Sequence, residues 1–132
     1  MAWNRQRRVL VVDDDPSIVE TFGAILRSEG YEVASATNGR DAVELARREP
    51  IDLILLDLVM PGMDGLAALP QLREARPTAP VVILCADVEP DGEVEAFGSG
   101  AVAVLVKPPD VDKLLRMVNE LTGRREDSSP DR

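Results

Sequence analysis

Histidine is absent from the 132 residues, and cysteine occurs once, at Cys85. The first absence excludes a Ser/His or Cys/His catalytic pair and a phosphohistidine carrier within this chain. The second excludes an internal disulfide framework and a cysteine-rich zinc site, and fits a reducing compartment. Aromatic residues make up only 3% of the chain, and basic side chains are outnumbered 15 to 24 by acidic ones, for a formal net charge of -9. That balance opposes direct nucleic-acid binding, which draws on clustered Lys and Arg. Long apolar runs are missing too. Arg5, Arg7 and Arg8 precede an apolar run that covers only Val9 to Val12, whereas a signal core takes about 7–15 apolar residues and a spanning helix about 20. A soluble, cytoplasmic protein without membrane contact is expected, built around one core, since a chain of this length typically buries roughly 65–70% of its unfolded surface.

What is present is a repeating alternation. Five short runs rich in Val, Ile and Leu recur at Arg8 to Val12, Tyr31 to Ala36, Ile51 to Leu56, Val81 to Cys85 and Val102 to Val106. Leu53-Ile54-Leu55-Leu56 does not alternate with polar residues, which is the pattern of a strand buried on both faces. Between the runs lie segments of helical spacing. Ile18, Phe22, Ile25 and Leu26 fall at i, i+4, i+7 and i+8, and Ala42, Leu45 and Ala46 at i, i+3 and i+4. Gly30 and Pro50 end these two helices. A third helix is expected from near Asp64. A last one carries Val111, Leu114, Leu115, Val118 and Leu121 on one face, with Asp110 as N-cap and Gly123 as its end. The segment from Glu89 to Gly98 must supply a further helix, expected to be short and mobile, because Pro90 suits only a first turn and Gly92 costs about 1 kcal/mol relative to alanine. Strand and helix alternate five times, so the economical architecture is an α/β fold with a parallel sheet and helices on both faces. Residues 1–7 form an expected solvated arm carrying Trp3. Residues 124–132, with no aliphatic or aromatic side chain, form an expected disordered tail or truncated linker.

Ligands of open parallel sheets bind beyond the carboxyl ends of the strands, and there this chain concentrates its acids. Asp13, Asp14 and Asp15 follow the first strand, and Asp57 closes the third. If these strands are neighbours, several carboxylates crowd one small volume and repel unless a cation neutralises them. A hard divalent cation that prefers oxygen ligands, namely Mg2+, is the natural occupant. Lys107, at the end of the fifth strand, can add one fixed positive charge. The bland alternative is that Asp13 to Asp15 simply cap a helix.

The run Val9-Leu10-Val11-Val12-Asp13-Asp14-Asp15-Pro16, then Leu55 to Gly65 with its Met60-Pro61-Gly62-Met63-Asp64-Gly65 turn, then Gly100-Ala101 leading to Val106-Lys107-Pro108, together resemble the receiver domain of two-component response regulators, over about residues 8–123. The resemblance implies a flavodoxin-like (βα)5 fold with strand order 2-1-3-4-5. It implies that Asp57 accepts a phosphoryl group from a histidine kinase or phosphotransfer domain. It further implies that Asp14 and Asp57 bind Mg2+ directly, that Asp13 does so through water, and that the backbone carbonyl of Val59 completes the protein ligands. Lys107 and the backbone of Ala86 would contact the phosphoryl oxygens, and the Lys107-Pro108 bond would be cis. Such a domain is a phosphoacceptor that signals rather than an enzyme with turnover, apart from self-catalysed phosphorylation and dephosphorylation.

Three positions depart from that family's pattern, two of them at the switch. Cys85 stands where receivers place a Thr or Ser whose hydroxyl bonds the phosphoryl group, and a thiol is a weaker donor. Val104 stands where they place a Tyr or Phe that turns inward, and valine has no ring to rotate. Pro109 also replaces a common aromatic residue. These departures keep open a pseudo-receiver, a binding module whose output does not depend on phosphorylation. A haloacid-dehalogenase-type phosphatase, suggested by the Asp-x-Asp of Asp13 to Asp15, would leave the Met60 to Gly65 turn unexplained. Output is expected through the helix over 89–98, the fifth strand and the last helix, by way of Glu93, Glu95, Lys113 and Arg116. The partner there is either a downstream protein or output domain, or a second copy. The chain is expected to be a stand-alone receiver or a piece of a longer regulator.

Overall fold

A computed structural model describes residues 6–57, 65–85, 100–106 and 110–123. Five parallel strands, β1 (Arg8–Val12), β2 (Glu32–Ala36), β3 (Leu53–Asp57), β4 (Val81–Cys85) and β5 (Ala103–Val106), form one sheet in the order β2-β1-β3-β4-β5. Four helices are described: α1 (Pro16–Ser28), α2 (Gly39–Arg48), α3 (Gly65–Ala75) and α4 (Val111–Leu121). The helix expected over 89–98, the turn over 58–64, most of the N-terminal arm and the tail lie outside the described residues.

The uninterrupted apolar runs are central strands, as a sheet covered on both faces requires. Every residue of β3 and β4 is buried, whereas the edge strands β2 and β5 are partly exposed. Alternate side chains enter two separate cores. Leu10, Val12, Ile54, Leu56, Val81 and Ile83 pack with Ala42, Val43, Ala46, Leu69 and Leu72 of α2 and α3. Val9, Val11, Leu53, Leu55, Val82 and Leu84 pack with Phe22 and Leu26 of α1 and with Leu114 and Val118 of α4.

Local chemistry sets the boundaries. Asp15 caps α1, its carboxylate accepting from Ser17 N at 2.9 Å, and Pro16 occupies the first turn, where its missing N–H is no loss. Gly30, at φ 93°, ends α1 with Gly30 N donating to Arg27 O at 3.0 Å and Tyr31 N to Leu26 O at 3.1 Å. This left-handed turn satisfies the last carbonyls and draws Tyr31 out of the strand in which the sequence pattern placed it. Asn38 caps α2 through Asp41 N at 2.8 Å. Asp110 caps α4 through Lys113 N at 3.1 Å, as its position in the sequence foretells. The third strand starts two residues later than its apolar run, because Asp52 turns to accept from Arg8 N at 2.8 Å. Pro70 lies inside α3, a position the apolar periodicity did not single out.

Candidate functional site

Parallel pairing of β1 with β3 puts Val9 opposite Leu53 and Val12 opposite Leu56. The next residue along each strand direction is therefore an aspartate, Asp13 on one side and Asp57 on the other. Asp57 closes β3 beside Leu84 of β4 and is 6% exposed. Asp13 is fully buried; its N–H donates to Ala36 O at 3.2 Å, and its Oδ1 accepts from Asp15 N at 3.0 Å. Asp14 is exposed. One carboxylate oxygen from each of Asp13, Asp14 and Asp57 lies within 4.8 Å of the other two.

The run of three aspartates thus divides by task. Asp15 turns away to cap α1, while Asp13 and Asp14 turn toward Asp57. Capping alone accounts for one member only. Three converging carboxylates repel one another, most strongly where burial removes water. The donors are all oxygen, two of the residues are buried, and the third is open to solvent from which a partly hydrated ion arrives. That set fits a hard divalent cation such as Mg2+, which keeps several waters and takes few carboxylates.

Cys85 ends β4 and is buried, with Sγ 3.9 Å from the Leu105 carbonyl oxygen on neighbouring β5. Val104 is half-buried and packs against the core shared by α2 and α3. Val59, Ala86, Lys107 and Pro108 lie outside the described residues, as does the peptide bond joining the last two.

A second feature was not named by sequence reasoning. Val102, Val106 and Val111, the exposed large hydrophobics among the described residues, all lie on or beside β5 and at the start of α4. Val102 also lines a groove of about 630 Å³, with Ala103, Met117 and Leu121 and with Asp110, Lys113, Arg116 and Glu120. Lys113 and Arg116 are expected at a contact surface from the sequence; the apolar lining is not, because Met117 and Leu121 fit the core face of a helix equally well. No helix among the described residues is long and apolar enough to cross a membrane.

Comparison with known proteins gives a consistent result. The response regulator receiver domain family matches residues 9–119. Transcriptional regulatory protein ZraR of Klebsiella oxytoca is 44% identical over 112 residues, covering 85% of this chain and 25% of that protein. The chain therefore spans about a quarter of the length of ZraR. Protein PilH of Pseudomonas aeruginosa is 39% identical over 114 residues, which is 85% of this chain and 94% of PilH. Among solved structures, the receiver domain of the sensor histidine kinase PA1611 from Pseudomonas aeruginosa superposes with a TM-score of 0.82 at 29% identity, covering 90% of this chain and 99% of that one. That structure holds a magnesium ion coordinated in its active site cleft.

Proposed function

The chain belongs to the response regulator receiver domain family, and on that premise we propose that it accepts a phosphoryl group on Asp57 and passes the change to a protein partner. The observation that carries this is the convergence of the Asp13, Asp14 and Asp57 carboxylates at the ends of adjacent strands.

With no histidine of its own, the chain takes the group from a phosphohistidine on a histidine kinase or phosphotransfer domain. A carboxylate oxygen of Asp57 forms the new P–O bond as the P–N bond breaks, and the imidazole leaves with a proton. Asp14 and Asp57 would hold Mg2+ directly and Asp13 through water, with the Val59 carbonyl as a further protein oxygen; bound there, the ion would supply positive charge against the phosphoryl oxygens. Lys107 and the Ala86 backbone would contact the same oxygens. Fixed position and charge neutralisation are the main contributions of such a site, so the chain acts as a signalling acceptor, with self-catalysed gain and loss of the group as its only chemistry.

We assign the receiver domain to residues 8–123, in the cytoplasm and without direct nucleic-acid contact. The groove between β5 and α4, lined by apolar residues and by both signs of charge, supports output to a downstream protein or output domain or to a second copy through this side of the molecule. Cys85 and Val104 make the switch atypical. The Cys85 thiol, directed at the Leu105 carbonyl, favours a second reading in which binding at this surface is independent of phosphorylation.

Intact mass after incubation with a small phosphodonor and Mg2+ tests the assignment. One phosphoryl adduct is expected, absent with chelator and absent in Asp57→Asn. No adduct in a folded chain that still binds Mg2+ moves the assignment to the pseudo-receiver, and an adduct retained at full stoichiometry in Asp57→Asn refutes Asp57 as acceptor.

A further inference from the structure

Three polar residues are buried among the described residues: Asp13, Asp57 and Asn119. The first two belong to the acidic site. Asn119 does not; it lies near the end of α4, where its Oδ1 accepts a hydrogen bond from the Tyr31 hydroxyl. Tyr31 is itself 2% exposed, and its oxygen is 3.4 Å from Thr122 Oγ1. The Thr122 hydroxyl donates to Val118 O at 2.8 Å, and Arg7 Nε donates to the Thr122 carbonyl at 2.9 Å. Arg7 is fixed in turn by its carbonyl, which accepts from Glu32 N at 2.9 Å. Three distant stretches of chain therefore converge on one helix end: the residues before β1, the residue before β2, and Val118 to Thr122.

Strand direction says where this end lies. Arg7 and Tyr31 precede their strands, so the network sits at the amino edge of the sheet, and the three aspartates sit at the carboxyl edge. Helix α4 bridges the two edges. Asp110, its cap, comes shortly after the end of β5, and its 11 residues span about 16 Å at 1.5 Å per residue. Lifting the far end of α4 would break the bond from the Tyr31 hydroxyl to Asn119 and the bond from Arg7 to the Thr122 carbonyl, the contacts that tie this helix end to the starts of β1 and β2. The near end, capped by an exposed Asp110 and followed by an exposed Val111, has no comparable buried polar contact among the described residues.

We propose that Tyr31, Asn119, Thr122 and Arg7 form a clamp that holds the far end of α4 fixed when the carboxylate site changes its charge. The helix then responds by pivoting about Thr122, and the change is presented at Asp110 to Lys113 and along β5 rather than at the end of the helix. The proposal rests on the phosphoryl-acceptor reading of the site.

Its test uses the whole isotope-labelled chain, unmodified and as Tyr31→Phe and Arg7→Gln, with amide hydrogen exchange in the free protein and amide shifts on adding beryllofluoride and Mg2+. In the unmodified chain, shifts are expected at Asp57 and at 110–113 but not at 119–123. In Tyr31→Phe, which keeps the ring, exchange at 119–123 should rise tenfold or more, and these amides should begin to respond to beryllofluoride; Arg7→Gln should do the same to a smaller extent. Unmodified amides 119–123 shifting as much as 110–113 would overturn the clamp, and so would unchanged exchange in both variants. Should Asp57 and its neighbours ignore beryllofluoride, the acceptor reading has failed instead, and the exchange comparison, which needs no ligand, still decides whether the helix end is held.

Discussion

Gly100 shows how much a single residue can fix. Its φ of 112° lies where side chains are rarely tolerated, and a Cβ there would come 2.7 Å from Arg73 Nε, with the rest of the Arg73 stem close behind. Backbone strain therefore opposes any other residue, and the Arg73 side chain would have to swing aside as well. Gly100→Ala is expected to destabilise the fold by about 1–3 kcal/mol, read as a lower urea midpoint at unchanged slope. Asp13 and Asp15 make the complementary point, because identical side chains two positions apart have unrelated tasks. One is fully buried with its carboxylate toward Asp57, and the other is an exposed helix cap.

For the elements, caps and core faces explain most of what forms where. Asp15→Ala removes the acceptor for Ser17 N at the start of α1 and should cost about 1 kcal/mol of stability. Mg2+ affinity measured by calorimetry should stay within about twofold of the unmodified chain, since Asp15 is not among the converging carboxylates. A tenfold loss of affinity would mean that Asp15 belongs to the ion site after all. The five strands and the helices α1, α2 and α4 were legible because burial on two faces and on one face leave different periodicities. Their ends were less so. Tyr31 and Asp52 read as strand in composition, yet one is captured by the glycine turn closing α1 and the other by the Arg8 amide. The second is a contact between distant parts of the chain, which a local pattern does not contain; the first is local, closing between residues 26 and 31, and shifts the strand start by one residue.

Taken as a whole, the molecule places its electrostatic strain at one edge of the sheet. A ligand that binds the folded state but not the unfolded chain stabilises it by mass action, about 2.7 kcal/mol at 100 times its dissociation constant. Mg2+ at that excess should therefore raise the unfolding free energy of the unmodified chain by that order, read as a higher urea midpoint at unchanged slope. In Asp57→Asn or Asp14→Asn most of this gain should vanish, while Asp14→Asn should be no less stable than the unmodified chain without the ion, because it removes one of three mutually repelling charges. Equal Mg2+ stabilisation in all three proteins would place the ion elsewhere.

The sequence by itself determined the class of fold, the number of strands and the identity of the acidic residues, since apolar periodicity and residue type are local properties. Residue type and order alone named Asp13, Asp14, Asp15 and Asp57 as candidates, and only the family resemblance implied which of them meet. Tertiary structure decided that. Pairing β1 beside β3 brings residues 44 positions apart in the chain to one edge, and the cap of α1 takes Asp15 away from it. The exposed valines beside β5 and the buried Tyr31–Asn119 contact were equally silent in the sequence. An apolar residue on a strand looks the same whether its outer face is covered or bare, and a polar residue on an apolar helix face reveals its partner only once the chain has brought residues 31 and 119 together.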